Sequence, residues 1–221
     1  IEMNPRIQVE HTVTEMVMGI DIVQAQILVA MGYSLDSDEI NIKSQDDIRV
    51  NGAAIQCRIT TEDPQNDFAP DTGIIEAYCS ASGYGIRLDG GSACVGAEIT
   101  PYYDSLLVKV TAWARDFKSA SLKARRALRE MSIKGVKTNI DFLLNVLNHP
   151  DFKAGACDTG FIENNPLLIE FSKSEDKEGQ IINHIANIIV NEKLDKKPSF
   201  NVPKVPDTDE IKYEDGTKQI F

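Results

Sequence analysis

The sequence predicts an α+β protein, because a strand-rich central region lies between helical segments. Residues 54–60 alternate between apolar and polar side chains, which is the period of a strand with one buried face. Residues 106–114 form a run rich in Leu, Val and Thr, typical of a long buried strand. On either side, at 13–31 and 119–131, apolar residues recur at helical spacing. This order of elements favours a sheet with flanking helices.

The composition limits the kind of function that we expect. Acidic residues outnumber basic ones by 34 to 23, and the net charge of −11 argues against nucleic acid as a partner. No apolar run is long enough to span a bilayer, so we expect no membrane contact. The four cysteines are widely spaced and form no CxxC pair. We therefore expect reduced thiols and a cytoplasmic location, or the mitochondrial matrix in a eukaryote.

The first eleven residues are predicted to form a strand that ends in a loop. Apolar side chains alternate with polar ones at Ile1, Met3, Ile7 and Val9. Pro5 cannot donate to a ladder, so a central strand is not expected. Thr12 and Glu15 have the spacing of a capping box and predict a helix over 13–31, which Gly32 would end.

Further strands and helices are predicted along the rest of the chain. Residues 62–73 are rich in turn formers, and strands are expected at 74–79 and 84–88. Helices are expected at 119–131, 139–147 and 175–190. The first of these has Leu122, Leu128 and Met131 on its apolar face and a basic face that we interpret as solvated surface. From 191 onwards the polar, proline-containing sequence is typical of a linker.

The opening segment concentrates side chains that could perform chemistry. An extended chain would place on one face Glu2, Asn4, Arg6, Gln8 and Glu10. Carboxylate and amide oxygens suit Mg²⁺ or Mn²⁺, and an arginine between them can clamp an anion. A second carboxylate can accept a proton. The alternative is a polar edge strand whose charges are paired and idle.

The same segment is similar to a known family. The run E-M-N-P-R-I-Q-V-E-H-T-V-T-E resembles the biotin carboxylases, which belong to the ATP-grasp superfamily. Three later segments match that family in the same order, namely C-R-I-T-T-E-D-P at 57–64, P-Y-Y-D-S-L at 101–106 and G-V-K-T-N at 135–139. The resemblance implies a biotin carboxylase C-terminal domain with an antiparallel sheet and flanking helices, preceded by a remnant of an ATP-grasp lobe. It divides the chain into the end of that lobe at 1–40, the C-terminal domain at 41–171 and an inter-domain segment, partly helical, at 172–221.

The resemblance also implies positions that bind metal and substrate. Glu2 matches a metal-ligand glutamate of the family, and Asn4 lies beside it at a position near metal and phosphate. Arg6 matches the arginine that holds bicarbonate or carboxyphosphate. Gln8 and Val9 match positions whose backbone N–H groups contact bicarbonate. These assignments imply ATP and Mg²⁺ or Mn²⁺ as cofactors.

Two more positions are implied to act on protons and on biotin. Glu10 matches the general base that deprotonates bicarbonate, which must lose a proton before it attacks ATP. Arg58 matches the arginine that faces the ureido oxygen of biotin, where a permanent positive charge stabilises negative charge. His11 lies within the motif, and we expect it to pack rather than to take part directly.

Other matched segments are expected to have structural roles. Tyr102, Tyr103 and Asp104 are expected to order the domain core. Tyr84 and Arg87 lie in a segment that resembles a family dimer contact, and an ordinary exposed hairpin is the alternative.

The resemblance implies partners as well. Biotin would be attached to a separate biotin carrier domain, and the residues after 157 resemble a multidomain member of the family that also has a carboxyltransferase domain and is a homo-oligomer. The chain contains no glycine-rich phosphate loop and no Met-Lys-Met biotin attachment site. We therefore expect a fragment that is inactive by itself. Alternatives are the biotin carboxylase subunit of an acyl-CoA carboxylase, an unrelated ATP-grasp ligase and a module for dimerisation.

Overall fold

The computed structural model describes residues 2–91, 93–170, 211–212 and 218–219. The chain forms two compact units, Ile1–Ser172 and Lys173–Phe221. The helices of the first unit are α1 (His11–Met18), α2 (Ile22–Ala30), α3 (Phe117–Glu130), α4 (Ile140–Asn148) and α5 (Pro150–Ala154). Its strands are β1 (Ala53–Thr60), β2 (Glu62–Asp63), β3 (Ala69–Pro70), β4 (Gly73–Ile74), β5 (Ala77–Cys79), β6 (Ile86–Gly90), β7 (Glu98–Ile99), β8 (Leu106–Ala114) and β9 (Ser132–Lys134). The predicted α+β class is confirmed.

The central sheet has three antiparallel strands in the order β1-β8-β6. Ile55, Cys57 and Ile59 of β1 are buried in the main hydrophobic core, whereas Arg58 between them is exposed on the opposite face. The alternation that predicted this strand is therefore confirmed. The long strand β8 has the predicted bounds, and its fully buried Val108 and Val110 belong to the same core.

Three short antiparallel ladders accompany this sheet, joining β2 with β3, β4 with β7 and β5 with β9. The single strand predicted at 74–79 was wrong, because Ile74 pairs with Glu98 while Tyr78 pairs with Ile133. Ile75 lies between these two pairings and is completely buried. The chain therefore changes partner strands at a buried residue, which local alternation does not reveal.

Helix α3 covers the buried face of the sheet. Asp116 caps it by accepting the backbone N–H of Ser119 at 2.8 Å. The predicted apolar face was partly wrong, because Leu122 is 53% exposed whereas Leu128 is fully buried. The buried stripe is completed by the small residues Ala120, Ala124 and Ala127. Leu122 is two positions, or about 200° around the helix, from both Ala120 and Ala124, so it faces away from this stripe.

The single helix predicted over 13–31 was also wrong. The axes of α1 and α2 are bent by 98° relative to each other. Gly19, with φ of 68°, ends α1 in the left-handed conformation, and Asp21 caps α2 by accepting the N–H of Gln24 at 2.8 Å. Glu15 does not form the predicted capping box with Thr12, because its Oε1 instead accepts the N–H of Ile22 at 2.8 Å.

The predicted strand over 1–11 is absent from the described residues 2–10. Pro5 has no N–H to donate, and the nearby N–H of Arg6 bonds the carbonyl of Asn4 at 2.8 Å. The N–H of His11 bonds the carbonyl of Gln8 at 3.2 Å, which starts the turn into α1. Local turns therefore replace the shared face that a strand would have formed.

The prediction that the tyrosines at 102 and 103 order the core was wrong. Tyr102 is 87% exposed and Tyr103 is 85% exposed. Asp104 has a local role, since its Oδ1 accepts the N–H of Leu106 at 3.0 Å at the start of β8.

The part of the chain that the structure describes contains no single helix long and apolar enough to cross a membrane; α1 and α2 reach that length and hydropathy only as a bent pair. In the second unit, β10 (Ile211–Lys212) pairs antiparallel with β11 (Lys218–Gln219). The helix predicted at 175–190 lies outside the described residues, as does most of the predicted segment at 172–221.

Candidate active site

The structure brings together Glu10 and Arg58, two of the predicted site residues. Glu10 lies at the N-terminus of α1, and Arg58 lies on the polar face of β1, 48 positions later in the chain. Arg58 Nη2 donates a hydrogen bond to Glu10 Oε1 within an ion pair. Both side chains remain accessible to solvent, with 61% of Glu10 and 44% of Arg58 exposed. A carboxylate and a guanidinium therefore share an open site on one face of the sheet.

The surroundings of Glu10 keep its carboxyl group ionised. Its own backbone N–H lowers the pKa most strongly, and the charge of Arg58 and the hydrogen bond from it lower the pKa further. The charge of Arg6 acts in the same direction. Glu10 is therefore in the unprotonated form that a base requires.

Glu10 is held by a hydrogen-bond network that the sequence did not predict. Gln56 Nε2 donates to the carbonyl oxygen of Val9 at 2.9 Å and also to the hydroxyl of Thr12. Thr12 Oγ1 lies 2.8 Å from Thr111 Oγ1, and both threonine side chains are fully buried. The turn that carries Glu10 is thus attached to β1 and β8.

The backbone on either side of Arg58 is held by Asn139. Its Nδ2 donates to the carbonyl of Arg58 at 3.0 Å, and its Oδ1 accepts the N–H of Thr60 at 3.0 Å. The β1–β8 register shifts between Ile59 and Thr60, so these bonds support β1 where its pairing is irregular. Asn139 belongs to the G-V-K-T-N segment, which the sequence singled out without assigning this contact.

Tyr84 and Arg87, the predicted dimer contacts, differ in their surroundings. Arg87 is engaged within the chain, since its Nη1 binds Glu15 at 2.5 Å and its Nε and Nη2 bind Asp89 at 2.8 and 2.9 Å. Tyr84 is 80% exposed, and the ammonium group of Lys123 lies 4.7 Å from its ring centroid. A dimer contact through either residue stays a prediction.

Among the remaining predicted residues of the described chain, Arg6 lies near enough for its charge to lower the Glu10 pKa, whereas no side-chain hydrogen bond or ion pair with Glu10 or Arg58 is formed by Glu2, Asn4 or Gln8. Glu2, Arg6 and Gln8 are exposed, and Asn4 is half-buried. Among the residues that the structure describes, no group of three His, Cys, Asp or Glu side chains could hold a metal ion. Glu2 and Asn4 offer oxygen ligands of the type that Mg²⁺ prefers, but two donors fill less than half of its octahedral shell. The metal assignment therefore stays a prediction. His11 is held locally, with Nδ1 2.6 Å from the carbonyl of Gln8.

Helix α2 presents apolar side chains to solvent. None of its residues is buried, and the exposed fractions of Val23, Ile27 and Val29 are 41%, 57% and 47%. A groove of about 620 Å³ runs along it and is lined by Met18, Leu35 and other mainly apolar residues. An apolar surface of this kind is typical of an interface with another domain or chain.

Two family models match the chain. Residues 56–164 match the biotin carboxylase C-terminal domain, and residues 1–38 match the ATP-binding domain of the carbamoyl-phosphate synthase L chain. The first match contains Arg58 and Asn139, and the second contains Glu10. The chain therefore belongs to the biotin carboxylase family.

Within that family, its high-identity relatives are pyruvate carboxylases. The chain is 53% identical over 228 residues to that of Bacillus subtilis (strain 168), covering 100% of this chain and 20% of the relative. It is 51% identical over 191 residues to the mitochondrial enzyme of Homo sapiens, covering 86% of this chain and 16% of that protein. The chain thus spans about a fifth of the length of the pyruvate carboxylases it matches, as a portion of their biotin carboxylase region.

Solved structures agree with this assignment. A Rhizobium etli pyruvate carboxylase variant with the allosteric activator acetyl coenzyme A has a TM-score of 0.77 and 50% identity, over 90% of this chain and 20% of that one. The biotin carboxylase subunit of a pyruvate carboxylase has a TM-score of 0.73 and 46% identity, over 78% of this chain and 37% of that one.

Proposed function

We propose that the chain supplies the C-terminal part of a biotin carboxylase site, which carboxylates biotin with ATP and bicarbonate through carboxyphosphate. The observation that carries the proposal is the contact between Glu10 and Arg58, which joins the first family segment to the second. The reaction needs a base for bicarbonate and a cation for the charge that develops on transfer. The Glu10 carboxylate and the Arg58 guanidinium meet at one solvent-accessible site on the polar face of β1.

Glu10 takes the proton of bicarbonate in this proposal. Its carboxylate is unprotonated at neutral pH and can accept a proton, and replacing the contact with Arg58 when substrates bind removes an interaction that lowers its pKa and so weakens it as a base. Bicarbonate is held by Arg6 through its guanidinium and by the backbone N–H groups of Gln8 and Val9. Nucleophilic attack of the deprotonated bicarbonate on the γ-phosphate of ATP then gives carboxyphosphate and ADP.

Arg58 acts at the second step of the proposed reaction. Its guanidinium stabilises negative charge at the ureido oxygen of biotin without transferring a proton. In the structure Arg58 is bound to Glu10, so the ion pair keeps both charged groups in place before substrates arrive. Substrates that enter the site replace this contact with contacts of their own.

Glu2 and Asn4 are proposed to bind Mg²⁺ or Mn²⁺ together with the phosphates of ATP. A similar biotin carboxylase domain, that of Hydrogenobacter thermophilus 2-oxoglutarate carboxylase, has been solved with MgADP and bicarbonate. The metal would neutralise charge on the transferred phosphoryl group. Since two protein ligands are too few, the nucleotide and further protein groups would complete the shell.

The proposal extends to the protein in which this segment functions. By similarity to its relatives, that protein is a cytoplasmic or mitochondrial-matrix homo-oligomer that makes oxaloacetate from pyruvate. A biotin carrier domain brings carboxylated biotin to a carboxyltransferase domain. The exposed apolar face of α2 packs against the rest of the ATP-grasp lobe, in agreement with the family match over residues 1–38.

A segment exchange tests the proposal. The matched segment of the Bacillus subtilis pyruvate carboxylase is replaced by this chain, and bicarbonate-dependent cleavage of ATP with free biotin is measured. We expect activity in the exchanged enzyme, a loss of about 100-fold or more in Glu10→Gln and Arg58→Met, and no turnover by the isolated chain. The matched surface variants Glu98→Gln and Arg115→Met should be unaffected. Unchanged activity in both site variants, or turnover by the isolated chain, contradicts the proposal.

Dimerisation is a second candidate function, because Tyr84 is 80% exposed and stacks edge-to-face with Trp113 at a centroid distance of 6.0 Å. A large exposed aromatic side chain is typical of an interface. Sedimentation of the 221-residue chain and of Tyr84→Ser tests this candidate. A concentration-dependent dimer that the substitution weakens supports it, and a strict monomer contradicts it.

A further inference from the structure

We propose that Gln56 is a positioning residue for Glu10: its side-chain amide fixes the turn from which the Glu10 carboxylate meets Arg58. The bearing of this inference on catalysis rests on the proposed function, whereas its geometry does not. Gln56 lies on β1 two residues before Arg58, and the alternation of the strand places both side chains on the polar face.

The two hydrogen bonds of Gln56 reach both sides of Glu10 in the chain. One goes to the carbonyl oxygen of Val9, immediately before Glu10, and the other to the hydroxyl of Thr12, two residues after it. Two attachment points restrain both the position and the direction of the short turn between them. The backbone that carries the Glu10 side chain cannot shift along β1 without breaking one of these bonds.

The hydrogen bonds of Gln56 continue into a pair of buried threonines. The amide nitrogen of Gln56 is a donor only, so Thr12 accepts from it, and the Thr12 hydroxyl in turn shares a hydrogen bond with the Thr111 hydroxyl, in which either group can donate. Thr12 and Thr111 are completely buried, so water does not compete for these groups. Gln56 and Thr111 are also direct cross-strand partners, which places the whole chain of bonds at one level of the sheet.

The same strand therefore fixes both members of the ion pair. Gln56 attaches the backbone around Glu10, and Arg58, about 6.6 Å further along β1, binds its carboxylate. A glutamate at position 56 would lack the N–H donors, and an asparagine is one methylene shorter. Methionine has nearly the shape of glutamine but no donor, so Gln56→Met removes the attachment and keeps most of the packing.

The experiment follows the Glu10 carboxyl group directly by NMR titration of ¹³C-labelled glutamate in the 221-residue chain. In the unaltered chain we expect a Glu10 pKa below that of an ordinary glutamate. Arg58→Met removes the ion pair but keeps the backbone N–H that lowers the Glu10 pKa most, so it sets the reference for Glu10 without this cation. We expect Gln56→Met to raise the Glu10 pKa most of the way to this reference. In the double variant Gln56→Met/Arg58→Met, the Glu10 pKa should be no higher than in Arg58→Met alone.

Two further variants keep the result interpretable. Thr111→Val is nearly isosteric and removes the hydroxyl that shares a hydrogen bond with Thr12, so we expect a smaller rise of the Glu10 pKa in the same direction. Gln26→Met replaces an exposed glutamine of α2 and should leave the titration unchanged. Near-UV circular dichroism verifies that each variant is folded. If Gln56→Met does not fold, a rise in Thr111→Val supports the inference and an unchanged Glu10 pKa there contradicts it.

An unchanged Glu10 pKa in folded Gln56→Met overturns the inference and leaves Gln56 with a packing role. Activity is a separate measurement in the exchanged Bacillus subtilis enzyme, where we expect kcat of Gln56→Met to fall about 10- to 100-fold with KM for ATP unchanged. If the titration behaves as expected while Glu10→Gln and Arg58→Met keep full activity, the proposed function fails and the positioning role stands. If Glu10→Gln and Arg58→Met lose activity but the Glu10 pKa is unchanged in Gln56→Met, the proposed function stands and the positioning role of Gln56 fails.

Discussion

Arg87 on β6 binds Glu15 on α1, with 2.5 Å between Nη1 and Oε2 across 72 positions of sequence. Arg87 is the cross-strand partner of Thr111, which is in turn the partner of Gln56. One row of side chains across the three strands therefore contacts α1 at successive points. The row places the N-terminus of α1, with Glu10, over β1, and Arg87 anchors the far end.

The contact between Arg87 and Glu15 should contribute measurably to stability. Glu15 is only 6% exposed, so Arg87→Met would leave a nearly buried carboxylate without its cation, and it would also remove the pair between Arg87 and the 22% exposed Asp89. We expect a loss of about 2 kcal/mol in the free energy of unfolding, because Arg87 itself is 32% exposed and part of the interaction is screened. Urea denaturation measures this loss. Arg126→Met, which breaks an exposed pair with Glu130, is the matched control and should cost about 0.5 kcal/mol or less; equal losses in the two variants would contradict the prediction.

Two glycines with positive φ should differ in their tolerance of alanine. Gly135 has φ of 98°, and a Cβ there would overlap the carbonyl oxygen of Ile74 and lie 2.9 Å from the N of Glu76. We expect Gly135→Ala to destabilise the protein by about 3 kcal/mol. Gly155 has φ of 70° with open space around it, so Gly155→Ala should cost only about 1 kcal/mol. Thermal unfolding measures the stability of both variants. Gly135→Ala combines steric overlap with backbone strain, whereas Gly155→Ala has backbone strain alone, so a greater loss of stability in Gly155→Ala would contradict the prediction.

The four thiols should react unequally in the folded chain. Burial raises the pKa of Cys57 to about 12, so its thiolate is scarce near neutral pH as well as inaccessible. Cys79 and Cys94 are exposed, and we expect them to react first with a disulfide reagent. Cys157 is exposed too, but slight desolvation and then the charges of Asp151 and Asp158 raise its pKa, so it should react more slowly. Time-resolved labelling should show three thiols before denaturation and the fourth after it; early labelling of Cys57 would contradict its place in the core.

Glu10 should make stability depend on pH. Its pKa in the folded chain lies below the ordinary value, so its contribution is complete above the pKa of the unfolded chain. That contribution disappears as the pH falls through the folded pKa. Glu10→Gln should therefore be less stable than the unaltered chain at neutral pH, and the difference should shrink on acidification. Urea titrations at a series of acidic pH values test this expectation, and a difference independent of pH would refute it.

The sheet and the helices differ in how far the sequence predicted them. The strand at 54–60 was predicted because its alternation is a local property, and Ile55, Cys57 and Ile59 are buried as expected. The break between α1 and α2 was missed although Gly19 lies at it, because apolar periodicity continues through the bend. The bend depends on Glu15, which binds both Ile22 and the distant Arg87. A contact between such distant positions leaves no mark on helical periodicity.

In the candidate site, too, the sequence predicted what depends on local motifs and missed what depends on long-range contacts. Glu10 and Arg58 were identified from their sequence motifs, and the structure brings them into contact. Gln56 was placed only on the polar face of its strand, because its partner Val9 is 47 positions away. Asn139 was seen only as part of a motif, since its contact with Arg58 spans 81 positions. Residues that support a site through tertiary hydrogen bonds have ordinary local patterns, so their function emerges only from the folded chain.

The hydrogen bonds of Asn139 also bear on self-association. β1 is an outer strand of its sheet, and the unpaired backbone groups of such a strand can pair with a strand of another molecule. Asn139 occupies the carbonyl of Arg58 and the N–H of Thr60 on that open edge. One asparagine side chain thus stands in for a neighbouring strand and makes the end of β1 a poor template for intermolecular sheet growth and aggregation.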